Sequence, residues 1–229
     1  MGLEMAHPLD NPAWAALTGP HAGLGTVHGL VRRYDSEIAP FAAMEELTPA
    51  GFADLVGSMT EAGVVLVTPG VLEPPETLDV VLTMVGMQMI APRLNAADCG
   101  WPAEELGADD VPAILELVAL TKPGPFARRT REMGRYVGFF DSERLVAMAG
   151  ERMRLPGYTE VSAVCTHPDY RGRGFAGQLV SAIADGVLQR GEVPMLHVVG
   201  GNHAAIKLYE ALGFAKRSDV QFTFLKRHG

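Results

Sequence analysis

The chain has 229 residues, 48% apolar and 20% charged, with a formal net charge of −8, an ordinary globular composition. A pI near 5.3 argues against general nucleic-acid binding, and the longest apolar stretch, residues 80–91, is broken by Thr83 and Gln88 and too short for a membrane span. The charge is unevenly spread: residues 1–100 hold 12 acids against Arg32, Arg33 and Arg93, whereas residues 101–229 hold 15 acids and 16 bases. That asymmetry predicts two regions with different jobs, 1–100 and 101–229.

The N-terminus carries Glu4 and no basic segment, so no secretory signal is expected. Cys99 and Cys165 form neither a disulfide framework nor a zinc pattern, and a reducing, cytoplasmic setting follows as the expectation. Thr48 and Pro49 predict a helix start, with Phe52, Leu55, Val56 and Met59 on one face. Residues 63–68 and 78–87 read as buried strands, and 91–102 as a linker. Asp110 is placed to cap a helix through Thr121, with Val111, Ile114, Leu115 and Val118 as its stripe. A basic helix is expected over 126–133. Strands follow at 136–140, 145–155 and 158–166, separated by turns at Asp141-Ser142 and Pro156-Gly157. A helix over 174–190 stops at Gly191, a strand covers 195–199, and Asn202 caps a helix ending at Gly213. Residues 214–227 read as two strands. The order is β-α-α-β-β-β-α-β-α-β-β.

Residues 171–177 read Arg-Gly-Arg-Gly-Phe-Ala-Gly between an apolar strand and an amphipathic helix. Glycines there let backbone approach a ligand closely, and the helix dipole and free N–H groups favour an anion. Arg171 and Arg173 add charge, so the loop suits a phosphate or pyrophosphate. Gly172, Gly174 and Gly177 also satisfy the spacing of a dinucleotide-binding site. That reading is weak. Only 52 residues follow the loop, and residues 167–170 separate the strand from the glycines, where such a turn is tight.

Arg171-x-x-Gly174-x-Ala176 resembles the cofactor loop of the GNAT acyltransferase superfamily. Its setting agrees: residues 164–170 precede it, and the run from Asn202 through Tyr209 to Gly213-Phe214 is similar to the superfamily's final helix. The resemblance covers about residues 103–229. Leu196-His197-Val198 suggests the glycine N-acyltransferase-like branch, which also carries an N-terminal α/β region. The implied fold is α/β (α+β), a mixed central sheet flanked by helices and preceded by a smaller α/β region in 1–100.

The resemblance implies an N-acetyltransferase that takes acetyl-CoA as donor and a small-molecule or peptide amine as acceptor. Transfer is by direct attack in a ternary complex. No metal, nucleic acid or membrane is implied, and a homodimer is left open. Backbone N–H groups of Gly172, Arg173, Gly174, Phe175, Ala176 and Gly177, with Arg171, would wrap the pyrophosphate. Val164, Cys165 and Thr166 would pair with the pantetheine, and a backbone N–H there would polarise the thioester carbonyl. Strands near residues 164 and 197 would splay apart to admit it. Asn202 would cap its helix and hold the pantetheine, while Tyr209, seven residues on, would protonate the departing thiolate. The alternative for Tyr209 is a buried packing aromatic. A non-catalytic CoA-binding sensor or scaffold is the alternative function.

Glu160, 11 residues before Arg171, sits at the offset of the glutamate base in histone acetyltransferases of this superfamily. A raised pKa would let it accept a proton through water; a solvent-facing strand glutamate is the competing reading. Glu151 is the second choice, and His197 occupies a strand position where some relatives carry a base. His167 reads as a loop residue and Cys165 as a small buried one. Arg128, Arg129 and Arg131 could hold an acceptor carboxylate or form a solvated basic face. The acidic first half could cover the acceptor side of the cleft and favour a cationic acceptor.

Overall fold

Asn11 caps the first helix, α1 (Pro12–Leu17), by accepting the Trp14 N–H, and Pro12 stands where a missing N–H costs nothing. The computed structural model describes residues 7–98 and 100–229; the readings at Glu4 and Cys99 lie outside them. Strands β1 (Gly25–His28), β2 (Val31–Tyr34) and β3 (Ala42–Met44) form a small antiparallel sheet. Helix α2 (Pro49–Ser58) starts as the sequence predicts. Thr48 Oγ1 accepts the Gly51 N–H at 3.1 Å, and Phe52, Leu55 and Met59 are buried.

The remaining elements are β4 (Val64–Thr68), β5 (Leu78–Ile90), β6 (Glu104–Glu105), α3 (Val111–Thr121), β7 (Tyr136–Asp141) and β8 (Arg144–Leu155). They continue through β9 (Tyr158–Thr166), α4 (Phe175–Gln189), β10 (Val193–Val199), α5 (His203–Ala211) and β11 (Ala215–Arg227). Eight strands form one mixed sheet in the order β4-β11-β5-β10-β9-β8-β7-β6. Among the described residues its one parallel strand pairing is β9 with β10, joined through α4, and a lone parallel bridge joins Phe41 to Val65 of β4. Strands β4 and β5 belong to the first hundred residues, so the sheet continues across the change of charge at residue 100.

One face of the sheet carries α4 and α5. The buried stripe of α4, including Leu179, Val180, Ile183 and Val187, packs on Val161, Leu196 and Val198. Burying each such side chain stabilises by about 1.5–3 kcal/mol. The opposite face is covered by the N-terminal elements, where Leu9, Tyr34 and Phe41 meet Met153, Met195 and Phe222. Farther along that face α3 covers Tyr136, Met148 and Cys165. Residues 91–102 have no regular element among those described, but strap α4 and α5. The Ala97 N–H donates to Ser181 Oγ at 2.9 Å, and the Asn95 N–H to the Leu212 carbonyl at 2.9 Å.

Four local expectations are corrected. Residues 214–227 are one strand, because the interruption at Arg217 is a β-bulge and not a turn; β11 lies antiparallel between β4 and β5, both from the other half of the chain. The outer part of β5 is exposed, since β10 pairs with it only over Gly86–Ile90. The buried stripe of α3 is centred on Ile114 and Leu117, and Asp110 accepts the Gly107 N–H instead of capping the helix. The basic helix shrinks to a 3-10 turn at Thr130–Met133. Pro123 and Pro125 withhold donors there, and Thr130 Oγ1 bonds the Ile38 carbonyl and the Ala127 N–H.

Candidate active site

β9 and β10 pair only where Tyr158, Thr159 and Glu160 meet Val193, Pro194 and Met195. Beyond that point β9 stays with β8 and β10 stays with β5, so the two parallel strands part. The predicted splay is present. Ala163 adds a feature the sequence did not signal. Its φ of 54° is left-handed, and the register jumps from Gly150↔Ser162 to Met148↔Cys165, a bulge on the cleft strand. A non-glycine residue in that region costs roughly 1–2 kcal/mol, and a bulge leaves backbone groups uncommitted to the ladder.

The anion loop lies at the mouth of this splay. Gly172 and Gly174 have φ of 78° and 80°, the left-handed region that favours glycine. Gly174 opens α4 without a side-chain cap, so the amides of Phe175, Ala176 and Gly177 remain free to bind an anion. Arg171 is exposed and makes no ion pair among the described residues. Arg173 stacks on Tyr170 at 4.7 Å. Seven predicted residues, Thr166, Arg171, Gly172, Gly174, Phe175, Ala176 and Gly177, line one cavity of about 190 Å³, joined by Tyr170 and Leu208. The Phe175 ring itself is buried against Trp101 and Phe139, so only its backbone serves the loop. Cys165 points into the α3 side of the core, where burial pushes its thiol up to about 11. The half-buried Val164 packs toward α4.

Asn202 caps α5, accepting the Ala205 N–H at 3.2 Å. Tyr209, two turns on, is buried in the cluster that contains Leu196, Val198 and Phe175, with Phe214 edge-on at 6.0 Å. Its hydroxyl has no hydrogen-bond partner among the described residues, and burial pushes the phenol up to about 12. Unlike Tyr136 Oη, it is not sealed away.

Glu160 is different. Arg152 grips it with two hydrogen bonds of 2.8 and 2.5 Å, and His197 Nδ1 donates to Oε1 at 2.7 Å. Gln88 Nε2 donates to the Leu9 carbonyl and to His197 Nε2, which leaves the ring proton on Nδ1. Arg217 then bonds Gln88 Oε1 and Asp10. Burial alone would raise the Glu160 carboxyl; the Arg152 charge, then His197 and their hydrogen bonds, outweigh it and hold the group well below the usual carboxylate range. Both oxygens are engaged and the side chain is 0% exposed. This arrangement corrects the expectation of a base with a raised pKa that accepts a proton through water. Glu160 is an anchor that ties β8, β9 and β10 at the point where the splay begins.

The other candidates also carry structural duties. Glu151 is buried and paired with Arg190 at 2.8 Å. His167 accepts the Asp169 N–H in its 3-10 turn and lies 2.6 Å from Arg144. Arg129 pairs with Asp35 and Glu132, which joins its loop to the N-terminal elements, while Arg128 is exposed. Sequence reasoning missed Arg152, although the turn at Pro156-Gly157 folds it back toward Glu160.

A mixed sheet that splays between two parallel strands beside an uncapped, arginine-flanked helix entrance defines an acyltransferase of the GNAT fold. The FR47-like protein family model matches residues 136–223. A solved structure from Novosphingobium aromaticivorans, assigned to the GNAT family of acetyltransferases, is 40% identical, covering 97% of this chain and all of its own, with a TM-score of 0.89. A GCN5-related N-acetyltransferase from Kribbella flavida shares the fold at 16% identity and a TM-score of 0.65, covering 95% and 94% of the two chains. The chain belongs to the GNAT family of acetyltransferases.

Over 61 residues, 26% of the chain, it is 39% identical to a mycothiol acetyltransferase from Corynebacterium aurimucosum. Over 56 residues, 24% of the chain, it is 39% identical to an acetyltransferase from Sodalis glossinidius. These matches span only 20% and 39% of those relatives' own lengths. Among the described residues no helix is long and apolar enough to cross a membrane.

Proposed function

We propose that the chain transfers acetyl from acetyl-CoA to a primary amine of a small molecule or peptide, by direct attack in a ternary complex. The observation that carries this reading is the parting of β9 from β10 next to the uncapped start of α4. Pyrophosphate would be held by Arg171, Arg173 and the amides from Gly172 to Gly177. The pantetheine would follow the backbone of Val164, Cys165 and Thr166, with Asn202 on its other side. The bulge at Ala163 frees a backbone N–H to polarise the thioester carbonyl. As the neutral amine nitrogen bonds the acyl carbon and the C–S bond breaks, Tyr209 gives its proton to the leaving sulfur and regains one, through water, from the nitrogen made cationic by the attack. Glu160 acts by position, fixing His197 and the apex of the cleft. A place in the glycine N-acyltransferase-like branch belongs to the same proposal, supported by residues 196–198 and the N-terminal α/β elements, and so does a cytoplasmic setting, supported by the sparse cysteine usage.

The test is a screen of amines, amino acids and peptides with acetyl-CoA, reading released thiol. The proposal expects amine-dependent thiol release that falls steeply in Tyr209→Phe. Tight acetyl-CoA binding with no turnover across the panel would replace it with a binding role.

A further inference from the structure

The outer part of β5 is an unfinished edge. On one side β11 pairs along its length from Leu78 to Ile90. On the other side β10 reaches only Gly86, and the Gly200 N–H adds one last bond to the Val85 carbonyl. From Asp79 to Met84 the outward backbone groups therefore have no strand partner. The side chains there are apolar and open: Val80, Val81, Leu82, Met84 and Val85 are 38–63% exposed, and Val199 beside them is 45% exposed.

Natural sheet edges are protected by charge, proline or short length. This one carries a charge only at its outer end, Asp79: no charged residue occurs between Asp79 and Arg93, and no proline between Pro75 and Pro92. Left bare, such a segment is an aggregation hazard. We propose that a second copy of this chain covers it, the two β5 strands pairing antiparallel about a twofold axis near Leu82 and Thr83.

Three observations favour a second copy over another partner. Antiparallel self-pairing sets only uncharged side chains opposite one another from Val80 to Val85, so no like charges meet. The pairing supplies each free backbone group with a partner and makes the contact isologous, the commonest symmetry of soluble oligomers. The open apolar side chains expose roughly 500 Å² per copy, so pairing buries at most about 1,000 Å² of them in total, and neighbouring loops complete a contact of specific-interface size.

The test is sedimentation velocity on the full chain, with hydrogen exchange on the same sample. The proposal expects a species of twice the 24.5 kDa chain mass, with the backbone amides of residues 80–84 that face away from β11 slow to exchange and faster on dilution. Replacing both Val81→Lys and Val85→Lys should weaken self-association by roughly 100-fold or more, with an unchanged near-ultraviolet circular dichroism spectrum. A wild-type monomer overturns the proposal, whatever else might cover the edge. So does a dimer whose residues 80–84 exchange as freely as a bare edge, or a folded double variant that still dimerises as tightly. The exchange measurement needs no variant and decides even where the double substitution fails to fold.

Discussion

Replacing Glu160→Gln removes one charge from the centre of a buried network and leaves its shape nearly intact. Arg152 is then left with its side chain 10% exposed and no carboxylate to answer it. Breaking a buried ion pair from one side costs about 3–5 kcal/mol, because the surviving charge stays desolvated. Against a total stability of about 5–15 kcal/mol that is a large fraction, and for a chain of this size it lowers Tm by roughly 6–20 °C. Thermal unfolding at neutral pH measures this directly. The double variant Arg152→Met with Glu160→Met should recover much of the loss, since neither charge remains buried.

The stability of this network depends on pH. Glu160 is depressed in the folded state, so its contribution is full above its ordinary value of 4.5 and is lost as pH falls below it. Glu160→Gln should therefore flatten the acid side of the stability profile. A Glu160→Gln protein as stable as wild type, with the same acid dependence, would refute the assignment of Glu160 as a buried anchor.

Tyr209→Phe should lower kcat by roughly 10²–10⁴-fold, with Tm nearly unchanged, because its hydroxyl has no partner to lose; steady-state kinetics and a melt on one sample check both halves. Arg171→Glu should weaken acetyl-CoA binding by roughly 10-fold or more, since it reverses a charge at the helix entrance; calorimetry reads it. Ala163→Gly should keep or raise stability by up to about 1 kcal/mol by relieving the left-handed strain, and Ala163→Val should lower both stability and turnover. Reversing the exposed acids Glu45, Glu46 and Glu61 to lysine should raise KM for a cationic acceptor while leaving KM for acetyl-CoA unchanged; an unaltered acceptor KM counts against an acceptor-facing role for the acidic half.

What could be read in advance follows from how local each signal is. The Thr48 and Asn202 caps, the Gly191 stop and the loop at 171–177 depend on neighbours within a few residues, and they stand where the sequence put them. Strand partners depend on the whole chain. Nothing in residues 214–227 or 78–90 announces that they pair, and a two-strand reading of 214–227 fits local hydrophobicity as well as the single strand does. The bulge at Ala163 was hidden because alanine, unlike glycine, gives no hint of a positive φ. Glu160 shows the same limit in chemical form. Its place before the cofactor loop was legible, but its protonation state is set by Arg152 and His197, on the neighbouring strands to either side.

In the proposed mechanism the opening between β9 and β10 receives an acyl-CoA whose pyrophosphate lies on the start of α4. Isothermal calorimetry with acetyl-CoA and with NAD, on wild type and Arg171→Glu, tests it most directly. One acetyl-CoA bound per chain, weakened by the substitution, with no heat from NAD, is the predicted result. Binding of NAD without acetyl-CoA, or acetyl-CoA binding indifferent to Arg171→Glu, would contradict it.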